Sequence, residues 1–265
     1  MSDSAAEKEL RVSVATLNRV IFAHPQNGTS MLALERKATV LSGNDIHIIA
    51  QPFGGAVCIL NSAPLQEIIG EIQFDSELSK HEQDFRILIP PSKWESVKQY
   101  CLSHLENPQD PELESLPHRE LAEEFMETIH ANLNREQYTL QALGTIVENN
   151  PIPTENMEVQ GLPTVRLYRI FEARVIDGEL CEKMLAASQS YSDRDLEMFA
   201  LKDRQNGGRG RANSILILPL HIITESYLKF APEIRYRKVL IENHELDESV
   251  LAILDNVDVQ QYQRV

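Results

Sequence analysis

Between residues 164 and 175, Val165, Leu167, Arg169, Phe171, Ala173 and Val175 alternate with Thr164, Arg166, Tyr168, Ile170, Glu172 and Arg174. That period of two predicts a strand with one mainly apolar and one mixed face. Residues 138–149, "YTLQALGTIVEN", are equally rich in β-branched and aromatic side chains and predict a second strand. Residues 20–40 read as two extended runs around a Pro25-Gln26-Asn27-Gly28 turn, because Asn and Gly tolerate positive φ. Runs at 45–50 and 56–60 are separated by Pro52 and the Gly54-Gly55 pair, and "DFRILIPP" at 84–91 predicts a further strand.

Elsewhere the apolar spacing is helical. Trp94, Val97, Tyr100, Cys101 and Leu105 predict a helix capped by Ser92, and Leu121, Phe125 and Ile129 mark the inner face of one at about 118–132. A helix at 193–203 is capped by Ser192 or Asp193, with Leu196, Phe199 and Ala200 inward. "SILI" reads as buried strand or helix start, a helix follows Pro219, and "DESVLAILDNV" at 247–257 reads as a last amphipathic helix. The pattern implies one α/β domain over 10–257, with a frayed 1–9 and a short tail at 258–265. The proline-bearing loop at 150–163 is of the kind that carries binding residues.

Composition narrows the function. A formal charge of −15 opposes a phosphate backbone, so general nucleic-acid binding is not expected. No apolar run approaches the roughly 20 residues needed to span a bilayer, and the polar, acidic start is unlike a leader. Three cysteines with no CxxC pair argue against a disulfide framework or a zinc cage and fit a cytoplasmic protein. The histidines form no HExxH pair, and no GxSxG elbow marks a nucleophile.

What remains is an acidic helix. Glu120, Glu123, Glu124 and Glu127 follow i, i+3, i+4 and i+7 spacing and share one stripe. Each like-charged neighbour costs roughly 0.2–0.5 kcal/mol, so the stripe is either a solvated face or the oxygen shell of a cation. Two other stretches suit phosphate: Gly54-Gly55, where backbone can approach a ligand closely, and "NGGRGR" at 206–211, where Arg209 and Arg211 are candidate anion clamps. A turn and a surface loop are their plain alternatives.

The run Arg119-Glu120-Leu121-Ala122-Glu123-Glu124 resembles the heart of the Nudix signature, with "PFGGAV" upstream and two strong strands downstream. The resemblance implies a Nudix-like α/β/α sandwich, a mixed sheet flanked by helices, with residues 56–110 inserted between the glycine pair and the acidic helix. It implies that Glu120, Glu123 and Glu124 hold Mg²⁺ or Mn²⁺, that Arg119 orients one of them, and that the four residues together are catalytic. The signature is degenerate. Its further glutamate, separated from the arginine by seven residues, is replaced by Pro111 with Glu112 one step off register, and its closing glycine is Met126.

The function implied is metal-dependent cleavage of the pyrophosphate in a nucleoside diphosphate linked to another moiety, such as ADP-ribose or a nucleotide-sugar. A fold of this kind that has lost its chemistry and senses an ADP-ribose-like ligand is the alternative, and an unrelated α/β protein is a third. The expected partner is a small-molecule nucleotide derivative, without membrane association; a homodimer is compatible with the reading.

Overall fold

A computed structural model describes residues 9–41, 45–154, 159–228 and 239–254. The expectations for the first eight residues and for the tail at 258–265 lie outside these ranges. β1 (Leu10–Ala23) and β2 (Ser30–Val40) form the expected hairpin, closed by the Gly28 N–H on the His24 carbonyl with Gly28 at φ 71°. β3 (Ile46–Gln51), β4 (Phe53–Ala56) and β5 (Cys58–Ile59) follow. The glycine pair thus lies inside a strand and does not break one: Gly54 pairs with Leu17 and Gly55 with Thr16 of β1. Glycine is required there, since a Cβ on Gly54 would sit 2.0 Å from the Thr16 carbonyl oxygen.

The segment at 56–110 is more built-in than an insertion on the surface. After α1 (Ala63–Ile69), β6 (Gln73–Phe74) and α2 (Glu77–Glu82), β7 (Arg86–Ile89) joins the main sheet by pairing with β1. α3 (Trp94–Leu105) is the expected helix, but Ser92 does not cap it; it lies within a 3-10 turn at Pro91–Lys93 that leads into the helix. β8 (Leu113–Glu114) then pairs with β5 and brings the chain to α4 (His118–Ile129), the acidic helix, which stops at His130 in the left-handed region.

β9 (Tyr138–Pro153) and β10 (Pro163–Val175) are the two strong strands, followed by α5 (Gly178–Ser188) and α6 (Asp193–Gln205), the latter closed at its start by a Ser192/Asp195 capping box. Leu196 and Ala200 face inward as expected. Phe199 does not; it is exposed and stands edge-on to Tyr191, with ring centroids 5.5 Å apart. β11 (Arg211–Pro219) settles "SILI" as strand, and α7 (Leu220–Leu228) begins directly after Pro219. β12 (Val239–Ile241) and β13 (His244–Leu246) form a small hairpin. The expected last helix is a 3-10 segment at Glu248–Ile253, whose three-residue turns stack Val250 and Ile253 onto the sheet.

The protein is mixed α/β, with a mostly antiparallel mixed sheet flanked by helices. The sheet runs β12-β13-β3-β2-β1-β10-β9, and β1 is its hub. β10 lies parallel along one side of β1, while β7, β4 and β2 take successive stretches of the other side, all antiparallel. Alternate residues of β1 feed different cores. Val12 and Val14 pack under α1 and α3, Val20 and Phe22 under α4 and α5, and Leu17 and Ile21 on the opposite face with Ile223 of α7 and the 3-10 segment. No helix among the described residues is long and apolar enough to cross a membrane.

Candidate active site

The apolar side of α4 decides where its acids go. Leu121 and Phe125 are fully buried beside Phe53, whose ring centroid lies 5.2 Å from that of Phe125, so α4 docks directly onto β4. The preceding residues in each turn, Glu120 and Glu124, are thereby aimed at the glycine pair. The Gly54 N–H donates to Glu124 Oε2 at 2.7 Å. A Cβ on Gly55 would lie 2.3 Å from Glu120 Oε2, so the missing side chain is the space this carboxylate occupies.

The stripe therefore splits. Arg119 binds Glu120 Oε1 through Nη2 at 2.6 Å, and holds Glu123 through Nη1 at 3.3 Å on the exposed side of the helix. The same guanidinium also reaches Glu114 of β8 at 3.3 Å. Glu127 accepts from Asn213 Nδ2 at 2.8 Å. Glu112, adjacent to Pro111, turns away to His104, 3.3 Å from its Nε2, and has no part in this cluster.

Glu124 meets another carboxylate, from a residue that nothing in the sequence singled out. Glu35 of β2 is buried, accepts from Gln51 Nε2 at 2.7 Å and lies 3.7 Å from Lys37 Nζ. Burial, then the charge of Glu35, push Glu124 well above the ordinary carboxylate range, against the pull of the Gly54 N–H and Lys37. Glu120 is raised as well, by burial first; Arg119 opposes this, while Glu123, Asp84 and Glu114 add to it. Half-buried Cys58 sits in the same acidic surroundings, its thiol pushed up by burial and then by Glu114.

The two glycines also line a cavity of about 360 Å³. Ala15, Leu17 and Tyr168 contribute sheet residues to it, Arg86 and Arg166 two guanidiniums, Ile152–Thr154 the end of β9, and Asp247–Ser249 the start of the 3-10 segment. Its size lies within the range of small-molecule sites. The expected 150–163 loop is shorter than its composition suggested: β9 runs on to Pro153 and β10 begins at Pro163, so Ile152 and Pro153 reach the cavity from the end of a strand. Burial draws the Arg166 guanidinium down, but Tyr168, Glu148 and Glu248 more than offset this and hold it above its ordinary value.

Arg209 and Arg211 are elsewhere. They border a separate shallow depression with Lys37, Glu127, Asp203 and Asn213, which shares no residue with the glycine-lined cavity. Four backbone donors of this loop, those of Gly207, Gly208, Gly210 and Arg211, are already taken within the chain. Asp203 Oδ2 accepts from the N–H groups of Gly210 (2.8 Å) and Arg211 (3.2 Å), and the Asp203 carbonyl from Gly208. The nest is filled by the chain's own carboxylate.

Comparison with family models, curated proteins and solved structures finds no match for the chain. The metal implied by the resemblance has to be weighed against the side chains themselves. Among the described residues, no three His, Cys, Asp or Glu side chains converge closely enough, as they stand, to hold an ion. The donor chemistry of Glu120 and Glu124 nonetheless suits a hard cation: both are carboxylates raised by burial, and Glu35 adds like charge that Lys37 only partly offsets. Glu123 does not suit it while Arg119 holds it outward.

Proposed function

We propose that this chain is a Nudix-type hydrolase that cleaves the pyrophosphate of a nucleoside diphosphate joined to a second moiety, with Mg²⁺ or Mn²⁺. The observation that carries the reading is the contact of Glu120 and Glu124 with Gly55 and Gly54, because it joins the acidic helix to the strand lining the cavity across more than fifty intervening residues.

In this reading Glu120 and Glu124 would hold the metal, and Glu123 would join them on leaving Arg119. A bound divalent ion supplies charge to offset the phosphates and lowers the pKa of its water. Arg119 fixes the rotamer of Glu120 through the 2.6 Å pair. Gly54, through its N–H, and Gly55, through its missing side chain, would set the Glu124 and Glu120 carboxylates in place. The cavity residues take the rest of the ligand and exclude water from it.

Hydrolysis of ADP-ribose, nucleotide-sugars and dinucleoside polyphosphates with Mn²⁺ tests the reading. Turnover of one of them by the wild type, lost in Glu120→Gln and Glu124→Gln, supports it; no turnover of any with either metal overturns it.

A second reading has its own observation. Arg119 ties down Glu123, and Glu112 faces His104, so the ligand set of a working site is incomplete as it stands. The protein is then a sensor of an ADP-ribose-like molecule. Binding of ADP-ribose without turnover selects this reading over the first.

A further inference from the structure

Two arginines that come from distant parts of the chain share one partner residue. Arg86 of β7 and Arg166 of β10 both pair with Ser13, from opposite sides of β1. Directly paired residues point to the same face of a sheet, so the two guanidiniums rise on either side of one small side chain. Two inter-strand steps of about 4.8 Å place their Cα atoms roughly 10 Å apart. The neighbouring residues Phe85, Ile87, Val165 and Leu167 go to the other face and are buried there. The next row along, Ala56-Ala15-Tyr168, again has a small residue on β1, and it continues the same surface into the cavity.

The two arginines are held differently: Arg86 keeps an open side, whereas Arg166 is mostly buried between acids. Arg86 Nη1 lies 3.0 Å from Asp84 and its side chain remains about one-third exposed. Arg166 is 3.5 Å from Glu148 and 3.9 Å from Glu248. In a chain of net charge −15, two guanidiniums line one cavity, each beside an acid of its own: Asp84 for Arg86, Glu148 and Glu248 for Arg166. Of the acids on the rim, Asp247 Oδ1 caps the 3-10 segment by accepting from Ser249 N–H at 2.8 Å, while Glu248 lies beside Arg166. A guanidinium pair across a serine suits the two oxyanion groups of a diphosphate, each able to accept a forked pair of N–H bonds.

We propose that Arg86 and Arg166 clamp the diphosphate of a nucleoside diphosphate ester on the cavity side of Gly54 and Gly55, with the rim acids facing its hydroxyl and amino groups. The assignment rests on the nucleotide reading above, and it gives the segment between Gly55 and Glu112 a purpose: it delivers Arg86.

Titration calorimetry of the full chain with ADP-ribose, in EDTA and again with Mg²⁺, is the test, with KM and kcat measured wherever turnover occurs. Arg86→Ala and Arg166→Ala should each weaken ADP-ribose binding at least tenfold, or raise KM by as much with a smaller effect on kcat. Arg86→Lys and Arg166→Lys, which preserve charge and are the variants of choice if an alanine variant misfolds, should fall between. Arg194→Ala, on α6 outside the cavity, should leave affinity unchanged. Folded arginine variants with wild-type affinity overturn the clamp, even if the wild type is a hydrolase. Arginine-dependent binding without turnover keeps the clamp and overturns the hydrolase reading. A wild type that binds neither ADP-ribose nor a nucleotide-sugar or dinucleoside polyphosphate in either condition, and turns over none of them, overturns both.

Discussion

Gly54 and Glu124 are joined by one hydrogen bond, 2.7 Å from backbone N–H to carboxylate, across seventy positions of sequence. That bond follows from the docking of Phe125 on Phe53 and marks where the acidic helix meets the main sheet. It also separates two glycines whose substitution should have opposite consequences.

At Gly54 an added Cβ meets backbone, 2.0 Å from the Thr16 carbonyl oxygen, at a φ of 150°. Gly54→Ala should therefore destabilise the fold by about 1–3 kcal/mol or more, seen as a lower midpoint in urea. At Gly55 the Cβ meets only the end of the Glu120 side chain, which can swing away. Gly55→Ala should keep the midpoint near that of the wild type and, on the hydrolase reading, lower kcat at least tenfold.

Glu124 and Glu35 crowd two carboxylates into one buried corner. Glu124→Gln removes one charge while its amide oxygen can still accept from Gly54. Its stability at neutral pH should equal or exceed that of the wild type by about 1 kcal/mol. Thermal melts with added Mn²⁺ provide the companion measurement: the wild type should gain Tm by mass action, and the variant should gain less.

Asp110 should carry a pH-dependent part of the stability. Burial raises its pKa, but the N–H groups of Glu112 and Leu113 and the His104 ring outweigh this and bring it below the usual range. A depressed carboxylate contributes stability above its unfolded pKa and loses it as pH falls through the folded value. Asp110→Asn should accordingly be less stable than the wild type at pH 7, by about 1 kcal/mol. Below about pH 4 the two should converge in denaturant melts.

Asp203 organises the glycine-arginine loop by accepting from Gly210 and Arg211. Asp203→Ala should cost about 1–2 kcal/mol and sharply accelerate hydrogen exchange at those two amides. Unchanged exchange would show that the loop does not depend on this carboxylate.

Helices and strands were legible in the residue pattern where periodicity was long, as in β9, β10, α3 and α4, because burying one face imposes a period that single residues cannot hide. It also marked the mixed face of β10, which bears Arg166 and Tyr168, and the acidic helix with its glycine pair. It did not show the short α1 and α2, whose few apolar positions define no period, or that the last helix would be a 3-10 turn. Which acids face inward is settled by packing between distant segments. Helical spacing makes Glu120, Glu123 and Glu124 equivalent, whereas the docking of Phe125 on Phe53 sends two of them to the glycines and leaves the third with Arg119. Glu35 and Arg86 were invisible for the same reason: each becomes a neighbour of the site through strand pairing, and pairing joins residues whose separation in sequence carries no signal.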